Sequence, residues 1–217
     1  MKSKEDLARF LSEAGISADF LTWSGLFLSF GSAALVGFGL FFAAGAALLL
    51  SGLCDLLDGA VARASGKADA AGGILDSTLD RYGDGAVLGA LVLRAAYFQD
   101  LRTAALALAA LIGSFAISYV RARAECEVES CRVGFWERGE RLVYLSLGLL
   151  FNNLFVVLAV MAVGVQWTAW QRLSYARLLA RGGGRVPDNA KPYRGRNSAL
   201  YAFKAGTLVV VALFFRL

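Results

Sequence analysis

Residues 43–62 read AAGAALLLSGLCDLLDGAVA, an apolar run whose only charged side chains are Asp55 and Asp58. A helix needs about 20 mostly apolar residues to cross the roughly 30 Å hydrocarbon core of a membrane. The run therefore has the length and composition of a membrane-spanning helix. Its two acids stand towards its C-terminal end, where such a helix returns to water.

Similar apolar runs cover most of the chain, in which 58% of the residues are hydrophobic and 18% are charged. The chain has two prolines and no extended alternating segments. Helices and closed barrels are the two structures that satisfy the backbone in lipid, and this pattern favours helices. We predict an all-α, polytopic membrane bundle of about six transmembrane helices, with spans over residues 18–40, 43–62, 73–98, 101–122, 139–151 and 154–172.

The two ends of the chain differ from this membrane domain, which we place at residues 18–180. Residues 1–17 are predicted to form an interfacial helix, because apolar side chains recur at helical spacing among charged ones. Residues 181–217 form a polar loop followed by an extra apolar segment at 198–217, which fits either a further span or an interfacial helix. The apolar side chains of the N-terminal helix are Leu7, Phe10, Leu11 and Ala14.

The distribution of positive charge predicts the orientation. With the N-terminus inside, all 22 lysines and arginines fall on the cytoplasmic side except Arg94, Arg102 and, if the tail spans, Arg216. We therefore predict an integral protein of the cell membrane whose acidic helix ends face the cytoplasm. The net charge of +5 follows from this topology, so we predict no nucleic-acid partner.

Four acids mark the ends of two adjacent apolar helices. Asp55 and Asp58 are three residues apart, and Asp76 and Asp80 are four apart, so each pair lies on one helical face. A helical hairpin brings the pairs together, and clustered carboxylates need a compensating cation such as magnesium, manganese or calcium. The sequence has no histidine, so acid-base and metal chemistry fall to these carboxylates.

The residues between the two pairs suit a nucleotide. Gly59 and Gly72 allow a ligand to approach the backbone closely, and the guanidinium of Arg63 can pair with the acids or contact phosphate. A cluster of acids that only solvates the helix ends is the simpler alternative. That alternative gives the glycines and the arginine no purpose.

The pattern Asp55-x-x-Asp58-Gly59-x-x-Ala62-Arg63, followed by Gly72-x-x-x-Asp76-x-x-x-Asp80, resembles the signature of CDP-alcohol phosphotransferases. The resemblance implies transfer of a lipid phosphate group from a CDP-activated lipid to an alcohol, with release of CMP. It also implies that Asp80 is the general base, with one or two Mg2+ or Mn2+ ions per site. The implied metal ligands are Asp55, Asp58, Asp76 and, as a second role, Asp80.

The same resemblance implies a CDP-lipid site and a homodimer. The implied CDP-lipid residues are Asp19, Thr22, Gly59, Ala62, Arg63 and Gly72. A helix cap is an equal alternative for Asp19.

The acceptor alcohol is suggested by two further segments. Residues 117–125, ISYVRARAE, and 134–142, GFWERGERL, resemble segments of the family branch that uses inositol phosphate. A phosphorylated acceptor needs a basic pocket, for which the candidates are Arg121, Arg138, Arg141 and Arg172. Glycerol phosphate, serine or another small alcohol remains an alternative acceptor. An ion-coupled transporter with acids along its path is an alternative from another class.

Overall fold

The computed structural model describes residues 2–128, 130–131 and 133–181. Over these residues the chain forms seven helices and no strand, which confirms the predicted all-α class. The helices are α1 (Lys2–Glu13), α2 (Ala18–Phe38), α3 (Phe41–Ala64), α4 (Ala70–Tyr97), α5 (Leu101–Ala124), α6 (Arg138–Leu150) and α7 (Leu154–Arg181).

Four of the described helices, α2, α3, α5 and α7, are long and apolar enough to cross a membrane. In their apolar windows only 28–39% of the residues are buried inside the protein, so most of this apolar surface faces outward, as expected against lipid. The predicted number of about six spans is not confirmed. α4 is long, but its first half is acidic, and α6 has only 13 residues.

Local capping interactions set the helix boundaries near the acids. The Ser17 hydroxyl accepts a hydrogen bond from the Phe20 N–H at 3.2 Å and caps α2. The alternative that Asp19 caps this helix is therefore wrong, because Asp19 lies in the first turn. Asp69 caps α4 by accepting from the Gly72 N–H at 2.7 Å, which starts α4 nearly two turns before Asp76.

α3 and α6 run antiparallel in close contact, and this contact positions the site. A methyl group added at Gly45 would lie 2.8 Å from the Ser146 carbonyl oxygen and 2.9 Å from the Leu150 nitrogen, so the two backbones nearly touch. At the other end of the same contact, Asp55 of α3 faces Arg138 of α6. The bundle is completed by α2 against α3 and α4, and by α5 against α4 and α7.

The N-terminal helix folds onto the bundle. Ala8 of α1 is buried together with Leu21 of α2 and Val61 of α3. Leu7 and Phe10 remain exposed on α1, as expected for a helix that rests at a membrane surface.

The last described helix is longer than predicted. α7 continues to Arg181, beyond the predicted end at residue 172, because Tyr175 and Leu179 pack with Cys131 and Val133 of the α5–α6 connection in a second small core. The apolar segment at 198–217 lies outside the described residues.

Candidate active site

Three carboxylates converge where α3 and α4 meet. One oxygen from each of Asp55, Asp76 and Asp80 lies within 4.8 Å of the others, and all three side chains are half-buried. The hairpin predicted from the spacing of the acids is thus present, with residues 65–69 as its turn. We call these three residues the acid centre.

Asp58 lies beside the acid centre and lines the same small space. It is buried, and it accepts hydrogen bonds from the Thr22 hydroxyl at 2.8 Å and from the Gly59 N–H. The sequence predicted Asp58 as a metal ligand with Asp55, Asp76 and, in a second role, Asp80, whereas the structure groups the other three and gives Asp58 protein partners. Thr22, predicted to contact the CDP-lipid, therefore also orients Asp58.

Arg138 enters the acid centre from α6. Its Nη1 atom lies 2.6 Å from Asp55 Oδ1 and 2.7 Å from Asp80 Oδ1, and its side chain is 16% exposed. The sequence predicted this arginine as a ligand of the acceptor phosphate. In the structure it bridges a carboxylate of α3 and a carboxylate of α4.

Sequence reasoning left one acid out of the site. Asp84, one turn after Asp80, accepts from Arg141 Nη2 at 2.8 Å and lies 3.8 Å from Arg138 Nε. Its position one turn beyond the signature was the available signal. Spacing along α4 could not indicate that its partners come from α6.

A cavity of about 650 Å³ opens on the α1–α2 side of the acids, and we call it the N-terminal cavity. All of the predicted CDP-lipid residues line it, together with Asp58 and Asp76. Those predicted residues are Asp19, Thr22, Gly59, Ala62, Arg63 and Gly72.

A second cavity, of about 870 Å³, lies between α4, α5, α6 and α7, and we call it the arginine cavity. It shares Asp76 with the N-terminal cavity and also reaches Asp80. The four predicted acceptor arginines line it, and so does Arg81, which the sequence analysis did not select. The predicted four are Arg121, Arg138, Arg141 and Arg172.

These arginines are not equivalent. Arg172 is buried, and it donates from Nε to the Val133 carbonyl at 2.8 Å and from Nη1 to the Ile117 carbonyl at 3.2 Å. Arg121 is more open and forms an ion pair with Glu125 at 3.1 Å. Arg172 thus uses two of its N–H donors for backbone carbonyls, whereas Arg121 pairs with the carboxylate of Glu125, which a phosphate can replace.

An apolar groove of about 620 Å³ runs along the contact between α3 and α6. Asp55, Glu137 and Glu140 are its charged lining residues, and most of the others are aliphatic or aromatic. Representative wall residues are Leu49, Leu53, Leu56, Leu142, Val143 and Leu147.

The acid centre suits a hard divalent cation. Its donors are carboxylate oxygens, which Mg2+ and Mn2+ prefer, and one of them, Asp76 Oδ1, is buried without a hydrogen-bond partner. An unpaired buried carboxylate oxygen is costly unless a cation or a ligand satisfies it. The donor set therefore fits the metal that the signature implied.

A helical membrane bundle that joins an acid centre, two polar cavities and an apolar groove is the class of a metal-dependent enzyme for phosphate-containing lipids. The chain belongs to the CDP-alcohol phosphatidyltransferase family, whose model matches residues 16–171. The family makes the protein a transferase of phospholipid metabolism.

Two curated relatives illustrate the similarity. The archaetidylinositol phosphate synthase of Methanothermobacter thermautotrophicus is 37% identical over 166 residues, which cover 74% of this chain and 83% of the relative. The phosphatidylinositol phosphate synthase of Mycobacteroides abscessus is 38% identical over 183 residues, which cover 82% of this chain and 80% of the relative.

Solved structures share the fold. The crystal structure of the Mycobacterium tuberculosis phosphatidylinositol phosphate synthase with CDP-DAG bound aligns with a TM-score of 0.73 at 33% identity, covering 81% of this chain and 94% of that one. A second structure of the same enzyme, in complex with manganese and citrate, aligns with a TM-score of 0.73 at 33% identity, covering 80% and 88%.

Proposed function

We propose that this protein transfers a phosphatidyl-type group from a CDP-activated lipid, CDP-diacylglycerol or CDP-archaeol, to inositol phosphate with release of CMP. The observation that carries the proposal is the acid centre placed between a cavity lined by the signature residues and a cavity lined by arginines. The names of the relatives, which are inositol-phosphate lipid synthases, support the same acceptor.

The donor occupies the N-terminal cavity and the groove. Its cytidine diphosphate lies against Gly59, Ala62 and Arg63, where a small residue and a guanidinium suit a close-lying diphosphate. Its hydrocarbon tails lie in the α3–α6 groove, since Asp55 links that groove to the acid centre. The diphosphate thus spans the acids while the tails stay in an apolar environment.

The acceptor occupies the arginine cavity. A phosphate dianion there meets Arg121 and Arg138, which bind phosphate oxygens through paired N–H donors. Arg141 and Arg172, which already donate to protein oxygens, add positive charge to the cavity. Binding the phosphate on these arginines directs an inositol hydroxyl towards Asp80, at the wall that the cavity shares with the acid centre.

Asp80 then removes the proton from that hydroxyl. The freed oxygen attacks the lipid-side phosphorus, a new P–O bond forms, and the pyrophosphate P–O bond breaks so that CMP leaves with its electron pair. Asp55, Asp76 and Asp80, with Asp58 beside them, would hold a divalent cation, which would neutralise charge at the pyrophosphate. Holding both substrates in adjoining cavities supplies proximity.

The finer biological setting also belongs to this proposal. The positive-inside pattern supports a position of the acid centre on the cytoplasmic side of the cell membrane, and the resemblance to the family supports a homodimer. Residues 1–17, 18–180 and 181–217 serve as the interfacial helix, the transferase domain and the C-terminal extension.

The test is CMP release by the purified protein with CDP-diacylglycerol and Mg2+ or Mn2+. Inositol phosphate, glycerol phosphate, serine and free inositol are compared as acceptors. Release that depends on inositol phosphate and stops on adding EDTA is expected. Release with another acceptor keeps the chemistry and overturns the acceptor, whereas no release with any acceptor overturns the transferase proposal and favours a transporter.

A further inference from the structure

We propose that Arg138 is shared between the acid centre and the arginine cavity. Its guanidinium moves from the acid centre to the arginine cavity when a divalent cation binds at the acid centre. Without the cation it neutralises Asp55 and Asp80, and with the cation it turns to the acceptor phosphate. The inference rests on the proposed function, because it assumes a phosphorylated acceptor in the arginine cavity.

The first support is the position of the guanidinium. A single nitrogen, Arg138 Nη1, lies 2.6 Å from Asp55 and 2.7 Å from Asp80, two of the three residues that form the candidate metal site. A divalent cation needs the same oxygens, and two positive charges a few ångströms apart in a partly buried site repel each other strongly. Arg138 and the cation therefore compete for these carboxylates.

The second support is that Arg138 already lines the arginine cavity. It is the first residue of α6, so its side chain projects from the start of that helix. In the exchange we propose, rotation about side-chain torsions carries the guanidinium between the two spaces that it already lines.

The third support is a fixed partner behind Arg138. Asp84 Oδ1 lies 3.8 Å from Arg138 Nε, while Asp84 Oδ2 is held by Arg141 Nη2 at 2.8 Å. Asp84 therefore retains an attraction for Arg138 after Asp55 and Asp80 are taken by a cation. We infer that Asp84 is the positioning residue of this exchange.

The exchange couples two binding events. A cation that displaces Arg138 makes it available to the acceptor phosphate, and an acceptor phosphate that captures Arg138 exposes the carboxylates to the cation. By linkage each ligand raises the affinity for the other by the same factor. Removal of the arginine should abolish this coupling and also improve cation binding.

The experiment measures Mn2+ binding to the purified full-length protein in detergent, from the electron paramagnetic resonance signal of free Mn2+. Arg138→Gln is expected to bind Mn2+ about tenfold more tightly than the unaltered protein. Arg123→Gln is the matched control, because Arg123 is an exposed arginine that pairs with Glu127 in an i,i+4 contact. The control should bind Mn2+ as the unaltered protein does.

Adding inositol phosphate should tighten Mn2+ binding to the unaltered protein about fivefold and leave Arg138→Gln unchanged, after correction for Mn2+ bound by inositol phosphate alone. Asp84→Asn should weaken Mn2+ binding, since Arg138 then has less to hold it away from Asp55 and Asp80. Equal or weaker Mn2+ binding by Arg138→Gln overturns the inference.

Arg138→Lys guards against a folding defect, because it keeps the charge. We expect it to melt at the same temperature as the unaltered protein and to bind Mn2+ with an affinity between the other two. Lysine binding as tightly as glutamine would count against a competition between charges. Since Mn2+ binding is read without turnover, failure of this inference is distinguishable from failure of CMP release with inositol phosphate.

Discussion

Asp80 is in contact with two arginines, since its Oδ1 lies 2.7 Å from Arg138 and its Oδ2 lies 3.3 Å from Arg81. Like Asp76, it lines both the arginine cavity and the small space among the carboxylates. A carboxylate in this position can take a proton from a molecule in the cavity.

Asp80→Asn should lower turnover by about a thousandfold, because asparagine keeps the shape and cannot accept the proton. Binding of CDP-diacylglycerol should change little. CMP release and binding of radiolabelled donor to the purified protein measure the two effects. Asp100→Asn is the control, since Asp100 caps α5 through the Thr103 N–H and asparagine caps equally well. Equal loss of donor binding and turnover would instead make Asp80 chiefly a metal ligand.

Two arginines with the same sequence-based assignment should separate in their effects. Arg172→Ala removes the two hydrogen bonds that this guanidinium donates to the carbonyls of Val133 and Ile117, each worth about 1.5–3 kcal/mol for a charged donor, so its melting temperature should fall. Arg121→Ala should keep its melting temperature and raise the KM for inositol phosphate about tenfold.

Thermal melts and acceptor kinetics on both variants test this separation. A normal melting temperature for Arg172→Ala, with a raised KM for inositol phosphate, would contradict the structural role and make Arg172 a ligand of the acceptor phosphate only.

At the scale of helices, the α3–α6 contact fixes the distance between Asp55 and Arg138. Gly45→Ala should therefore lower the melting temperature and the rate of CMP release together, because the new methyl group meets the backbone of α6 at 2.8–2.9 Å. Gly89→Ala in α4 is the control, since its methyl group would meet nothing within 4 Å. A neutral Gly45→Ala would show that the two helices can separate without harming the site.

Much of this arrangement follows from local sequence patterns. Apolar runs predict the helices, and the spacing of acids predicts which carboxylates share a helix face, so the acid centre was predictable once α3 and α4 form a hairpin. The end of α7 was not predictable, because Tyr175 and Leu179 are held by a connection that is distant in sequence. The role of Asp84 was not predictable either, since its partners come from α6.

For the molecule as a whole, the acid centre and both cavities lie at one end of the apolar helices. Two exposed positions, one at either end of α5, can show by chemical labelling which end faces the cytoplasm. Cys126 follows the C-terminal end of α5, and Arg102 lies near its start. Of the other two cysteines, Cys131 should contribute little to maleimide labelling. Burial raises the pKa of the Cys131 thiol, which slows its reaction with maleimides.

In intact cells, a membrane-impermeant maleimide should leave Cys126 unlabelled in a Cys54→Ser, Cys131→Ser background. With Cys126→Ser added, Arg102→Cys should be labelled, since it lies at the opposite end of α5. Inside-out vesicles should reverse both results. Labelling of Cys126 from outside would place the acid centre on the wrong face for the proposed orientation.

The N-terminal cavity and the arginine cavity meet at Asp76, and each is large enough for its own substrate. Donor and acceptor can therefore be bound together, and the reaction needs no intermediate in which the lipid group is covalently attached to the protein. Initial-rate plots for the two substrates should then intersect rather than run parallel. If the lipid phosphorus of the donor is made chiral, the lipid product should carry that centre with inverted configuration, as a single in-line displacement requires.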